Sequence, residues 1–313
     1  MSLSGFLKFV EIQTKVASVI PFILGTLYSL YRYETFNFQN FITMFISLIT
    51  FDMATTAINN YCDYRKANVD YEVENPIISH GIGNTTAVFI IFALVIIAVA
   101  FGIKLTLNTN IVVLLIGLIS FAAGILYTFG PIPISRMPLG EVFSGIFMGL
   151  IITFLAIYIH IYDENILTLA YQNSILKINI NIFEVFYIFL VSIPAIGGIA
   201  NIMLANNICD VETDIINKRF TLPYYIGRKS ALNLFKFLYY IGYVDIAVLV
   251  ILGILPITSL LVLATLLPVN KNIKLFCENP SKSKTFVLAV KNFVIINVAN
   301  ALLIGIMVAI KYL

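Results

Sequence analysis

Long apolar runs separated by short polar stretches dominate this chain. Nine runs fall at about 6–31, 41–61, 85–107, 110–129, 139–161, 183–206, 231–252, 256–270 and 286–310. An α-helix rises 1.5 Å per residue, so about 20 apolar residues cross a hydrocarbon core about 30 Å thick. The pattern predicts an all-α polytopic membrane protein, a bundle of about nine transmembrane helices forming one integral-membrane domain over residues 1–313. The first run carries Lys8, Glu11 and Lys15 near its start, unlike the clean apolar core of a cleavable signal peptide. The eighth is short, with Pro256 at its boundary.

Composition sharpens this picture. Of 313 residues, 60% are hydrophobic and 11% charged, more apolar than a soluble domain requires. Lys and Arg are retained on the cytoplasmic side of short loops. With the N-terminus inside, nine spans leave only Arg32, Lys104, Lys177 and Lys311 outside, and the other 15 of the 19 basic residues inside. The expected location is the cell membrane, multi-pass, with lipid as surroundings. A net charge of +3 gives no support to a nucleic-acid partner.

Against this background one polar pentapeptide occurs twice. "NNYCD" ends the second run at Asn59 to Asp63, and "NNICD" ends the sixth at Asn206 to Asp210. The chain thus reads as two pseudo-repeated halves, with motifs at 59–70 and 206–214, both at the expected cytoplasmic face. Asn206, Asp210 and Asp214 are four apart, and Asn59, Asp63 and Asp70 are four and seven apart, so each set shares one helix face. A column of like charges near a membrane repels itself unless a cation sits between its members. Carboxylate and amide oxygens suit Mg²⁺, which takes one or two protein carboxylates and fills its octahedron with water and phosphate oxygens. The metal-ligand candidates are therefore Asp63, Asp70, Asp210 and Asp214, with Asn59 and Asn206 beside them and a diphosphate as the missing ligand.

Basic residues stand close by. Arg65 and Lys66 follow the first column, and Lys218 and Arg219 come four and five residues after Asp214. These four are candidates for holding the diphosphate, while Arg228 and Lys229 read better as loop charges obeying the topology rule. Cys62 and Cys209 lie inside the pentapeptides, face a reducing compartment, and read as small packing residues. Two acidic columns facing each other among cations would make a site for ionising an allylic diphosphate, with Asp63, Asp210 and Asp214 central and the membrane excluding water. A long polyprenyl tail would enter from the lipid.

At these residues the chain resembles the UbiA superfamily of intramembrane prenyltransferases, which pair N-x-x-x-D after the second helix with D-x-x-x-D after the sixth. "LYTFGPIPISRMPLGEVFSGIFMG", from Leu126 to Gly149, and "NNICDVETDIINKRFTLPYYIGRK" are similar to the 1,4-dihydroxy-2-naphthoate polyprenyltransferase branch. The chain departs from the family pattern at Asn60, where many members have aspartate, and in the seven-residue step from Asp63 to Asp70. The resemblance implies Mg²⁺-dependent transfer from a polyprenyl diphosphate to an aromatic acceptor, with loss of diphosphate and carbon dioxide. Tyr127 is implied as a substrate contact. Glu141, at the inner start of the fifth run, either orients an acceptor hydroxyl or is an N-terminal carboxylate favoured by the helix dipole. Other superfamily reactions remain alternatives: prenylation of 4-hydroxybenzoate or haem, or terpene cyclisation. A transporter, the alternative of another class, places acidic groups nearer mid-membrane, and the D-G-x-x-A-R sequence of phospholipid phosphotransferases is absent from the chain. His160 is expected at the interface, and Asp245, about 21 Å along the seventh run at 1.5 Å per residue, has no assigned role.

Overall fold

The structure, a computed structural model, describes residues 2–66, 75–128, 134–172 and 174–312. Among these, eight helices are long and apolar enough to cross a membrane: Ile12–Arg32, Phe38–Arg65, Asn84–Asn108, Gly140–Ile161, Ile182–Ile216, Arg228–Ile251, Ile257–Glu278 and Phe286–Tyr312. A shorter apolar helix, Ile111–Tyr127, takes the place of the fourth run. Among the described residues the protein is an all-α polytopic bundle with about nine membrane helices. It divides into two compact units, Met1–Val19 with Phe38–Pro133, and Ile20–Asn37 with Ile134–Leu313.

The first run, expected as one helix over 6–31, is broken. Helix α1 (Leu3–Phe9) starts at Ser2, whose hydroxyl caps the Gly5 amide at 3.1 Å. Glu11 then turns into the left-handed region at φ 47°, a 3₁₀ turn covers Ile12–Lys15, and α2 (Val16–Arg32) follows. The break lets the polar residues of this stretch find partners. Lys15, expected near the inner start of the first run, is buried, and donates to Asp52 Oδ1 at 2.7 Å, Asp52 O at 3.1 Å and Thr56 Oγ1 at 2.6 Å. Ser18 donates to the other carboxylate oxygen at 2.6 Å.

Asp52 and Thr56 belong to α3 (Phe38–Lys66), the spine of the first unit. Helix α4 (Pro76–Ser79) is a single turn started by Asn75, which accepts from the Ile77 amide at 2.9 Å, and by Pro76 in its first turn. Ile77 packs there with Phe9, Ala57, Ile82 and Ala87. Helix α5 (Asn84–Asn108) meets α3 through a Ser47 hydroxyl bond to Ala98 O at 2.8 Å, and its other side, with Phe89, Phe92, Ile96 and Leu107, is exposed. That exposed apolar face suits lipid. Helix α6 (Ile111–Thr128) stacks Phe121 on Phe51 with ring centroids 3.9 Å apart.

In the second unit, α7 (Gly140–Ser144) passes through a π-helical stretch, Gly145–Ile151, into α8 (Ile152–Ile161). A hairpin not foreseen from the pattern follows: β1 (Leu167–Gln172) pairs antiparallel with β2 (Ile175–Ile180). It is tied to α8 by the Tyr158 hydroxyl on Leu167 O at 2.6 Å. His160, expected at the interface, is buried, and its Nδ1 accepts the Asn37 amide at 3.0 Å.

Helix α9 (Ile182–Ile216) continues past the apolar run so that the second motif stays helical. It is also central, with 67% of its apolar window buried against 17% for α5. Small residues allow this: a Cβ at Gly149 would stand 2.6 Å from Ile196 Cα, and one at Gly197 would stand 2.8 Å from Leu238 O. After α10 (Leu222–Ile226) and α11 (Arg228–Ile251), a 3₁₀ segment over Ile257–Thr265 leads into α12 (Leu266–Glu278). The eighth span thus reaches Glu278 rather than stopping near 270. Helix α13 (Phe286–Tyr312) completes the unit.

The buried Lys15–Asp52 pair generates a stability prediction. Removing one partner of a buried ion pair leaves a charge uncompensated and costs about 3–5 kcal/mol. Lys15→Met should lower the unfolding midpoint in detergent, and adding Asp52→Asn should recover part of the loss. A single variant as stable as the parent would show that the pair contributes nothing.

Candidate active site

In the first unit, Asn59 and Asp63 stand one turn apart near the end of α3, and the Asn59 amide donates to Asp63 Oδ2 at 3.4 Å. Asn60 turns the other way and is buried. Its Nδ2 donates to Phe9 O at 3.0 Å and to Glu11 Oε1 at 3.2 Å, and its carbonyl accepts from Asn75 Nδ2 at 3.0 Å. Asn60 therefore ties both the broken entry segment and the α4 cap to α3, fixing the rotation that presents Asn59 and Asp63. Asp52 and Thr56 lie on the same stripe as that pair, at spacings of 4, 3 and 4 along the helix. The Lys15 cluster is thus the continuation of the first column into the membrane. Sequence reasoning missed Asp52, although an acid within an apolar run is itself a signal.

The second unit repeats this division. Asn207 is buried and donates to Glu141 Oε1 at 2.8 Å, tying α9 to α7, just as Asn60 reaches Glu11. Glu141 Oε2 is buried without a partner among the described residues. Asn206 faces the acidic column instead. Its Oδ1 accepts the Lys282 ammonium, which also bonds Asp210 Oδ2 at 2.5 Å. One turn on, the buried Asp214 pairs with Arg219, Nε to Oδ1 at 3.7 Å, while the Arg219 amide donates to Asp214 O at 2.8 Å.

These pairings correct the electrostatic expectation. The second column is not uncompensated, since Lys282 and Arg219 neutralise its two carboxylates one apiece. Lys282, one of the 15 basic residues expected on the inner side, lies far along the chain from the motif, so no local spacing pairs the two. Lys218 and Arg65 are exposed, and neither forms an ion pair among the described residues. Tyr127 is half-buried near the end of α6. Lys66 closes α3. Asp70, Gly130, Pro131 and Pro133 lie outside the described residues. Among those described, no three His, Cys, Asp or Glu side chains converge on one metal position. A magnesium site does not require three, and the donor set is the hard oxygen type that the ion takes. That Asn206 Oδ1 and Asp210 Oδ2 already share one ammonium shows that this oxygen pair accepts a cation. Asp245 is buried in α11 with Oδ2 unpartnered among the described residues, and nothing here assigns it a role. Cys62 is buried and Cys209 and Cys277 are half-buried, and none of them forms a disulfide among the described residues.

With this geometry in place, comparison with known proteins is decisive for the family. The UbiA prenyltransferase family profile matches residues 18–294, covering both motifs. The chain belongs to the UbiA prenyltransferase family. Over 244 residues it is 31% identical to the 1,4-dihydroxy-2-naphthoate octaprenyltransferase of Bacillus subtilis (strain 168), spanning 77% of this chain and 72% of that one. A UbiA homolog from Archaeoglobus fulgidus, solved with GPP and Mg²⁺, matches at a TM-score of 0.67 and 13% identity, over 97% of this chain and 99% of its own. The apo UbiA homolog from Aeropyrum pernix K1 matches at 0.66 and 19%, over 96% and 99%. At such identities these structures establish the fold. The UbiA chain described here is a multi-pass membrane prenyltransferase.

The Asn207–Glu141 bond yields a test. Asn207→Leu leaves a buried carboxylate without its donor, at a cost of about 1–3 kcal/mol. Asn207→Gln should retain more of the stability than Asn207→Leu, measured by thermal unfolding in detergent. Equal midpoints for the parent and Asn207→Leu would remove the bond from the account of how α7 and α9 are held.

Proposed function

We propose that this UbiA-family chain transfers a polyprenyl group from a polyprenyl diphosphate to 1,4-dihydroxy-2-naphthoate, releasing diphosphate and carbon dioxide to give the quinol form of demethylmenaquinone. The observation that carries this reading is the 31% identity to the Bacillus subtilis octaprenyltransferase over 244 residues. Support for the donor and metal comes from the same fold, seen with GPP and Mg²⁺ and with DMAPP and Mg²⁺ in the Archaeoglobus fulgidus homolog.

Each residue then has a role. Asp63, Asp210 and Asp214 would hold Mg²⁺, with Asn59 and Asn206 as neighbouring oxygen donors and Asp70 as a further candidate. When bound, the metal supplies charge stabilisation to the departing diphosphate. Lys218, Arg219, Arg65 and Lys66 hold the diphosphate oxygens. The allylic C–O bond breaks, the diphosphate leaves with the electron pair, and the electron-rich naphthoate ring forms the new C–C bond. The keto tautomer of the acceptor is a β-keto acid, which is set up to lose its carboxyl group as CO₂. Glu141 has one oxygen fixed by Asn207 and a second, buried and unpartnered among the described residues, which suits it to accept an acceptor hydroxyl. Tyr127 contributes to the wall of the substrate site. The hydrocarbon surroundings keep water from the allylic cation.

The 15-to-4 division of basic residues supports the reading that both motifs face the cytoplasm, in the cell membrane. Single cysteines at Ser79 or Ser230, in a background without native cysteine, should react with an impermeant thiol reagent only once the inner face is opened. Labelling in intact cells would reverse the orientation.

The acceptor is tested by offering purified protein, Mg²⁺ and a long-chain polyprenyl diphosphate one of four conditions: the naphthoate, 4-hydroxybenzoate, haem or no acceptor. The expected product is a prenylated naphthohydroquinone, recovered in part as its air-oxidised quinone, whose mass shows loss of the carboxyl group. It should disappear with chelator, and with Asp210→Asn by about 100-fold or more. A prenylated hydroxybenzoate retaining its carboxyl, or a hydrocarbon formed without acceptor, would overturn the assignment.

A further inference from the structure

Lys282 is placed by a closed turn between α12 and α13. The Thr285 hydroxyl accepts from the Ser281 amide at 2.8 Å and donates to Asn279 O at 2.7 Å, while the Thr285 and Phe286 amides return to Ser281 O at 3.0 and 2.9 Å. The backbone carrying Lys282 is therefore fixed, and only its four-carbon stem can move. The ammonium rests on Asn206 Oδ1 and Asp210 Oδ2 and lies 5.3 Å from the centroid of the Phe286 ring. Its side chain is 51% exposed.

Arg219 differs. Its side chain reaches Asp214 from a backbone hydrogen-bonded to that same residue, so the pair is local and, at 3.7 Å, loose. Lys282 comes from a distant part of the chain to cover two oxygens of the motif. Magnesium binds oxygen at about 2.0–2.1 Å with near-octahedral demands. An ammonium on Asn206 Oδ1 and Asp210 Oδ2 competes with the metal for both oxygens.

We propose that Lys282 is a resident counter-ion of the second motif, displaced by Mg²⁺, and that its released ammonium then binds the diphosphate. This rests on the reading that Asn206 and Asp210 are metal ligands. Displacement exchanges one cation for another on the same oxygens, so metal binding alone is opposed by loss of the lysine pair. An incoming diphosphate gives the ammonium a new anionic partner within reach of its stem. Metal and diphosphate therefore assist each other's binding, and the coupling is carried by a single side chain.

The test uses Mn²⁺ as a paramagnetic probe on the purified full-length protein. With Mn²⁺ alone, Lys282→Met should bind about three- to tenfold more tightly than the parent, in line with a partly exposed ion pair removed from competition. When the preformed Mn²⁺–diphosphate complex is titrated instead, the same variant should bind more weakly by a similar factor. Lys282→Gln, of similar length and without charge, should follow Lys282→Met in both directions, and Lys282→Arg should follow the parent. A purely structural lysine would not produce opposite signs. Unchanged or weaker Mn²⁺ binding by both uncharged variants would overturn the proposal. If Asp210→Asn still weakens Mn²⁺ binding in that case, the metal site stands without the lysine exchange, and if it does not, the metal reading falls as well.

Discussion

Asp210 and Asp214 stand one helical turn apart on α9, with side chains about 5–6 Å from each other. Two negative charges at that separation repel by about 3 kcal/mol at an effective dielectric of 20. The chain answers with two cations, Arg219 on Asp214 and Lys282 on Asp210. Each brings another segment with it: the turn after α9 folds back on its own helix end, and the loop before α13 is drawn over the motif. The arrangement of this end of the second unit follows from neutralising one acidic column.

The first unit meets the same requirement within its own spine helix. Its buried acid is Asp52, and the cation is Lys15, brought in by breaking the first apolar run at Glu11. A continuous helix would have carried Glu11, Gln13, Thr14 and Lys15 along one uninterrupted cylinder into hydrocarbon. With the break, Lys15 Nζ finds three oxygens and Ser18 satisfies the remaining carboxylate oxygen. Unpaired charge in hydrocarbon costs several kcal/mol, more than a local helix break.

Much of this was legible in the sequence, and the limits have physical causes. Apolar run length alone gives the membrane class and nearly every span, because helix rise and bilayer thickness leave little choice. The four-residue spacing of Asn206, Asp210 and Asp214 places them on one face before any coordinates are consulted. Lys282 was not legible, because local spacing does not report on a residue more than 70 positions away that returns through a tight turn. The hairpin at β1 and β2 was missed because its strands are short and β2 is exposed along its whole length, so no buried face imposes a clear alternation there. The break at Glu11 was visible only as a polar cluster, whose effect depends on where Asp52 stands on another helix.

The doubled asparagine shows how one pair of letters serves two demands. Successive residues on an α-helix diverge by about 100°, so neighbours cannot both point at the same ligand. Asn59 and Asn206 face the acidic columns, while Asn60 and Asn207 point away, into the protein. Each of these inner amides binds a glutamate carried by an earlier segment: Glu11 in the first unit, Glu141 in the second. An aspartate at the inner position would set two carboxylates against each other in a buried place. Asn60, an amide, instead donates to Glu11. The inner asparagine fixes how the helix is turned, and the outer one inherits its direction from that rotation, so the geometry of the candidate site depends on a hydrogen bond made on the opposite side of the helix.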